Sequence, residues 1–139
     1  MKKTPSKTIG GAMKAWMLLL VAVPIAVLMM RSRAHSGQTV APNELAELLK
    51  TKDGIQLIDV RSPEEYAAGH IDGGKLIPLP ELASRITEIN KDKPVVFYCR
   101  SGHRSGNALD TVKDAGLQMP KHLAGGILAW TSAGLPTTK

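Results

Sequence analysis

The chain has 139 residues and a formal charge of +6, from 18 Lys plus Arg against 12 Asp plus Glu. That length fits one ordinary domain with a short appendage. A single cysteine excludes an internal disulfide and a cysteine-cluster metal site, and five aromatics (one Phe, two Tyr, two Trp) argue against a base-stacking RNA or single-strand binder.

The excess charge is local. All 12 acidic residues lie after position 36, where 12 basic residues balance them. The other six cations, Lys2, Lys3, Lys7, Lys14, Arg31 and Arg33, lie in a stretch without any acid. A pI near 9.6 would ordinarily suggest nucleic acid, but residues 37–139 are close to neutral, and no nucleic-acid partner is expected.

Residues 1–14 form a basic N-terminal segment, and residues 15–30 form an uncharged apolar run with Trp16 near its start. As a helix these 16 residues reach roughly 24 Å, short of a hydrocarbon core of about 30 Å. Extension back to Ile9 lengthens the span if Lys14 snorkels to the headgroups. Pro24 is tolerated in a membrane helix. The expectation is a single-pass transmembrane helix over 15–30. The alternative is a cleaved signal peptide ending near Ala34-His35-Ser36, against which Arg31 and Arg33 speak. Four lysines precede the run and two arginines follow it, so the positive-inside rule keeps the N-terminus cytoplasmic and exports the domain. The expected location is a bacterial-type inner membrane with the domain on the periplasmic side. A secreted domain and a cytoplasm-facing one are the alternatives.

Residues 31–39 are polar, small and Gly-containing, as in a linker; it is drawn over 31–37, with the domain over 38–139. Pro42 to Lys50 carries Leu45, Leu48 and Leu49 at helical spacing, with Pro42 in the first turn. Asp53-Gly54 predicts a turn, and Ile55 to Val60 a strand. Ser62-Pro63-Glu64-Glu65 opens a short helix: Ser62 is the N-cap, Pro63 is N1, and Glu65 at N3 completes a capping box. Gly69 ends it. Leu76-Ile77 predicts a very short strand, and Glu81 to Ile89 a helix with Leu82, Ile86 and Ile89 on one face. Pro94 to Tyr98 is nearly all apolar, as in a central strand buried on both faces. Arg104 to Ala115 predicts a helix closed by Gly116, His122-Leu123 a last short strand, and Gly126 to Ala133 a final helix stopped at Gly134. Strands alternating with helices imply an α/β fold, a small, mostly parallel sheet with helices on both faces.

In such a sheet, chemistry sits past the carboxyl ends of the strands. Cys99 lies there, directly after the run ending at Tyr98. The stretch Cys99-Arg100-Ser101-Gly102-His103-Arg104-Ser105 therefore crosses from strand to helix. Its loop can curl so that successive backbone N–H groups face the sulfur, with the helix dipole behind them. Gly102 allows positive φ, and Arg100 and Arg104 supply formal charge. A thiol in this setting has a lowered pKa, and the same cradle binds a small oxyanion. A lone free cysteine is commonly buried and inert; two arginines, a glycine and two serines at a strand-to-helix turn reverse that reading. Ser101 and Ser105 are candidate donors, Ser105 equally an early-helix capping residue. His103 is counted with the substrate-binding loop, Arg100 to Ser105, where it can tune donor choice, and is expected to be exposed. Asp59 and Arg61 end a neighbouring strand and are expected to support the site as an ion pair that fixes loops. His70 reads as structural and Trp130 as core.

The loop CRSGHRS resembles the active-site loop of rhodanese-type sulfurtransferases. Residues 58–79, IDVRSPEEYAAGHIDGGKLIPL, are similar to the family's first block, and residues 123–136, LAGGILAWTSAGLP, to its C-terminal block. The resemblance implies a double displacement. The Cys99 thiolate takes the outer sulfur of thiosulfate or a similar anionic donor as a persulfide, with Arg100 and Arg104 as anion binders. It then yields that sulfur to a thiol or cyanide acceptor, or to a protein. No metal or organic cofactor is implied.

Two other functions use the same residues. A phosphatase of this fold needs Cys-x5-Arg, but Cys99 plus six is Ser105, and the arginine comes one residue early at 104. A membrane-tethered persulfide carrier or binding module would use Cys99 without efficient turnover of free thiosulfate.

Overall fold

The computed structural model describes residues 37–51 and 54–139. The basic segment, the apolar run 15–30, most of the linker and Asp53 lie outside the described residues. Among the described residues no helix is long and apolar enough to cross a membrane. A compact unit starts at Gly37.

The elements follow in chain order: β1 (Thr39–Val40), α1 (Pro42–Lys50), β2 (Gln56–Asp59), α2 (Pro63–Ala68), β3 (Gly74–Leu76) and α3 (Leu79–Leu82). A 3₁₀ segment (Ala83–Glu88) continues α3 and is followed by β4 (Val95–Tyr98), α4 (His103–Val112), β5 (Lys121–Leu123) and α5 (Gly126–Ser132). The five strands form one sheet in the order β1-β5-β4-β2-β3, every pairing parallel.

β4 lies between β5 and β2, and all four of its residues are buried. Its side chains alternate between two cores, as the pleat requires. Val95, Phe97 and then Cys99 pack with Ile58, Leu82, Ala108 and Leu109. Val96 and Tyr98 pack with Leu57, Leu45, Ile71, Leu123 and Trp130 on the other face. The helices therefore cover both faces, which is why β4 reads as a continuous apolar run.

The capping box of α2 is complete: the Glu65 N–H donates to Ser62 Oγ at 3.2 Å, and the Ser62 N–H donates to a Glu65 carboxylate oxygen at 3.0 Å. Two stretches differ from expectation. Thr39–Val40, at the start of the drawn domain, where the sequence predicts no element, form edge strand β1, whose ends hold β5 through His122 N–H to Gln38 O and Ala124 N–H to Val40 O. Two residues are too few for a period to show. The helix expected over 81–89 is instead one α-turn followed by the 3₁₀ segment. There Ser84 Oγ donates back to the Glu81 carbonyl, and Ile86, Thr87 and Ile89 are β-branched, both of which weaken an α-helix.

The C-terminus is tied in at two points. Thr138 forms an antiparallel bridge with His70, and Trp130 Nε1–H donates to the Pro136 carbonyl at 2.8 Å.

Candidate active site

Strands β2 and β4 end side by side, with Asp59 in register with Tyr98. Cys99 follows Tyr98 and faces the same core as Phe97, so its side chain points toward α4 and is 1% exposed. Gly102 turns the chain at φ +102°, a left-handed value that glycine adopts without penalty. The turn carries the Gly102 N–H back to Cys99 Sγ at 3.0 Å. Ser105, on the first turn of α4, brings Oγ to 3.5 Å from the same sulfur.

These contacts shift the acidity of the thiol. Burial pushes the Cys99 thiol up, but the Ser105 hydroxyl and the backbone amides of Ser105, Gly102 and Ser101 outweigh it. The thiol sits below its ordinary value, because a thiolate accepts those hydrogen bonds better than a thiol does.

The loop is held from behind by α5. The Ile127 N–H donates to the Cys99 carbonyl at 2.9 Å, and the Leu128 N–H to the Arg100 carbonyl at 3.1 Å. This approach requires Gly126, at φ +63°: a Cβ there would sit 2.5 Å from the Cys99 carbonyl oxygen and still nearer Arg100 O. Gly126 lies within a block noticed in the sequence, but its clamp on the cysteine loop had no local signal. The same holds for His122, whose Nδ1 lies 2.9 Å from Ser105 Oγ.

The two loop arginines have different fates. Arg104 is paired in this structure and also lies within electrostatic reach of Cys99. Its guanidinium forks onto Glu65 at 2.7 and 2.8 Å and holds that carboxyl down at about 2, with the Ser62 amide adding to the effect against burial. Arg100 is exposed, and among the described residues its side chain makes no ion pair or hydrogen bond. It lines a cavity of about 280 Å³ with Arg61, Glu65, Ala68, Gly69, Ile127 and Leu128. Ser101 and His103 are exposed at the loop's outer edge.

Asp59 and Arg61 form a buried ion pair, with Arg61 Nη2 2.7 Å from Asp59 Oδ2 and also donating to the Gly69 carbonyl at 2.8 Å. The Arg61 guanidinium lies over the Tyr98 ring, 5.5 Å from its centroid. His70 stacks on Tyr66 at 3.7 Å, with Nδ1 3.0 Å from the Tyr66 carbonyl, and is part of the framework.

A parallel sheet with a cysteine loop at the carboxyl end of its central strand defines the class, and residues 41–133 match the rhodanese-like domain model. The chain belongs to the rhodanese family. It is similar to an uncharacterized protein of Synechocystis, with 41% identity over 110 residues, covering 79% of this chain and 61% of that one. It is similar to a protein named sulfurtransferase from Allochromatium vinosum, with 39% identity over 92 residues, covering 66% of this chain and 86% of that one. The fold matches a rhodanese-related protein from Thermoplasma volcanium with TM-score 0.67 and 29% identity, over 73% of this chain and 97% of that one. The chain spans less than two thirds of the Synechocystis relative's length.

Proposed function

We propose that this protein is a sulfurtransferase that carries a sulfane sulfur on Cys99, taking it from thiosulfate or a similar anionic donor. The observation that carries this reading is the buried Cys99 sulfur with the Gly102 N–H on it at 3.0 Å and a lowered pKa. Family membership and the sulfurtransferase name of the Allochromatium vinosum relative support it.

The Cys99 thiolate attacks the outer sulfur of the donor. A bond forms between the two sulfurs, the donor's own S–S bond breaks, and its electron pair leaves on sulfite. The Cys99 persulfide anion then occupies the cradle, where backbone amides and the Ser105 hydroxyl receive its charge. A thiol or cyanide attacks the terminal sulfur, and the electron pair of that bond returns to Cys99 as thiolate. No outside oxidant or reductant is consumed. Arg100, which has no partner of its own among the described residues, attracts the anionic donor. The position of Arg104, engaged with Glu65, argues against a phosphatase, which needs a guanidinium over the bound phosphoryl group.

Mass spectrometry after incubation with thiosulfate tests the reading. Wild type gains one sulfur and Cys99→Ser gains none. Turnover of p-nitrophenyl phosphate without any sulfur gain would overturn it. Slow thiosulfate:cyanide turnover beside rapid transfer from a protein persulfide would make the protein a carrier with the same cysteine.

We also propose that residues 15–30 tether the domain as a single-pass anchor with the domain outside the cytoplasm. This rests on the uncharged run and on the four lysines before it against two arginines after. A reporter active only in the periplasm, fused after Lys139, should be active; silence there would reverse the orientation.

A further inference from the structure

Ser105 Oγ has one proton and three neighbours: Cys99 Sγ at 3.5 Å, the Gly102 carbonyl oxygen at 3.2 Å and His122 Nδ1 at 2.9 Å. A hydroxyl donates once and accepts through its lone pairs. The carbonyl oxygen only accepts, and a thiolate only accepts. Everything therefore turns on His122 Nδ1, the nearest of the three. A bare Nδ1 would draw the hydroxyl proton to itself and leave a lone pair facing the sulfur. A protonated Nδ1 donates to Oγ and leaves the hydroxyl proton for Sγ, where a charged acceptor outcompetes the neutral Gly102 carbonyl.

The fold places His122 for this role. β5 runs beside β4 with His122 in register with Phe97, so its ring points to the α4 side, where Ser105 sits. Its backbone N–H is fixed to the Gln38 carbonyl at 2.8 Å, and the residue is 8% exposed. Gly106, one residue after Ser105, lies beside the ring, where even a Cβ would meet His122 Cε1 at an ordinary contact distance of 3.8 Å. A ring buried this way holds one orientation rather than sampling several.

We propose that His122 is a positioning residue that keeps its proton on Nδ1, donates to Ser105 Oγ, and thereby aims the Ser105 hydroxyl at the Cys99 thiolate. Its consequence for turnover rests on the sulfur-transfer reading, but its physical content does not. His122 touches neither donor nor acceptor and acts only through Ser105.

The test uses the full chain, nitrogen-15 spectra of the wild-type histidine rings, and the variants His122→Asn and His122→Leu. The expected spectrum shows a proton-bearing, pyrrole-type Nδ1 on His122 at neutral pH. Iodoacetamide alkylation of Cys99 and the ultraviolet absorbance of its thiolate report on the sulfur without any sulfur donor. His122→Leu should slow alkylation at neutral pH by about threefold to tenfold, because the hydroxyl loses its orienting donor. His122→Asn, whose side-chain amide offers a donor near the Nδ1 position, should restore the rate to within about twofold. A pyridine-type Nδ1 in the wild type overturns the proposal even if neither variant folds. So does a folded His122→Leu with wild-type thiolate absorbance, or an asparagine variant as slow as the leucine one. If the alkylation pattern holds while thiosulfate loads no sulfur, the sulfur-transfer reading fails and the role of His122 stands.

Discussion

Strands β2 and β4 are neighbours and end at the same level, yet the chain leaves them in opposite conditions. After β2, polar groups are matched with one another: Asp59 takes the Arg61 backbone N–H at 3.0 Å and its guanidinium, whose Nη2 also donates to the Gly69 carbonyl. Burial and the Asp59 carboxylate hold the neighbouring Tyr98 hydroxyl protonated. After β4, polar groups converge on Cys99, whose hydrogen-bond partners are uncharged. Amides and a hydroxyl face one sulfur, and Arg100 faces outward alone among the described residues. The first loop carries its own buried ion pair, and the second gathers uncharged donors around a thiol of lowered pKa. Two neighbouring strand ends thus hold their polar groups in different ways, one by an ion pair and one by hydrogen bonds to a sulfur.

Breaking the ion pair should have the largest effect on stability. Asp59→Ala leaves the Arg61 guanidinium buried and unpaired, and urea denaturation should show a loss of about 3–5 kcal/mol. A loss below about 1 kcal/mol would mean that the pair contributes little and that the contrast between the loops is overdrawn. Gly126→Ala comes next, since it strikes the reactive loop from behind. Its new Cβ would overlap the Cys99 and Arg100 carbonyls at a positive φ. The expected cost is about 2–3 kcal/mol. Sulfur loading should also fall by more than tenfold, because the Cys99 loop must shift. Retention of wild-type loading in that variant would show that the α5 clamp does not hold the cradle.

Much of this contrast was legible in the sequence, for reasons of distance along the chain. The capping box of Ser62 and Glu65 spans three residues and was fully legible, as were Gly102 and the placement of Cys99 past a buried strand. The Asp59–Arg61 pair spans two residues of one strand exit. What escaped was non-local. Arg104 finds Glu65 across 39 positions, so the sequence presented Arg104 as a free cation when it is an engaged one. His122 meets Ser105 across 17 positions and looked like any strand residue. β1 was missed because a two-residue edge strand owes its existence to β5 rather than to its own pattern.

The Glu65–Arg104 pair joins the two loops, and its removal should matter less than either change above. Glu65→Gln breaks the forked pair, while the amide can still accept from the Ser62 N–H, so a loss of about 1 kcal/mol is expected. The folded-state value of Glu65, about 2, lies below its ordinary 4.5, so the carboxylate stabilises the fold above the ordinary value. That contribution fades as pH falls from 4.5 toward about 2. The stability gap between wild type and Glu65→Gln should therefore be full at neutral pH and close across that acid window. A gap that persists unchanged below it would place the stabilisation in packing rather than in charge.

Arg100→Ala should have the smallest effect on stability and the most selective effect on chemistry. Its side chain is exposed and has no partner among the described residues, so the melting temperature should not move. If Arg100 attracts the anionic donor, its loss should raise KM for thiosulfate by about tenfold, the worth of one charge-assisted contact, with little change in the alkylation of Cys99 by neutral iodoacetamide. Added salt should weaken thiosulfate use by the wild type more than by the variant, because the lost term is the screened one. Arg104→Ala should behave in the opposite way, costing stability through Glu65 before it touches donor affinity. If instead Arg104→Ala raised KM and Arg100→Ala did not, the pairing with Glu65 would have to open when donor binds. The arginine engaged in the resting fold would then be the one that meets the substrate.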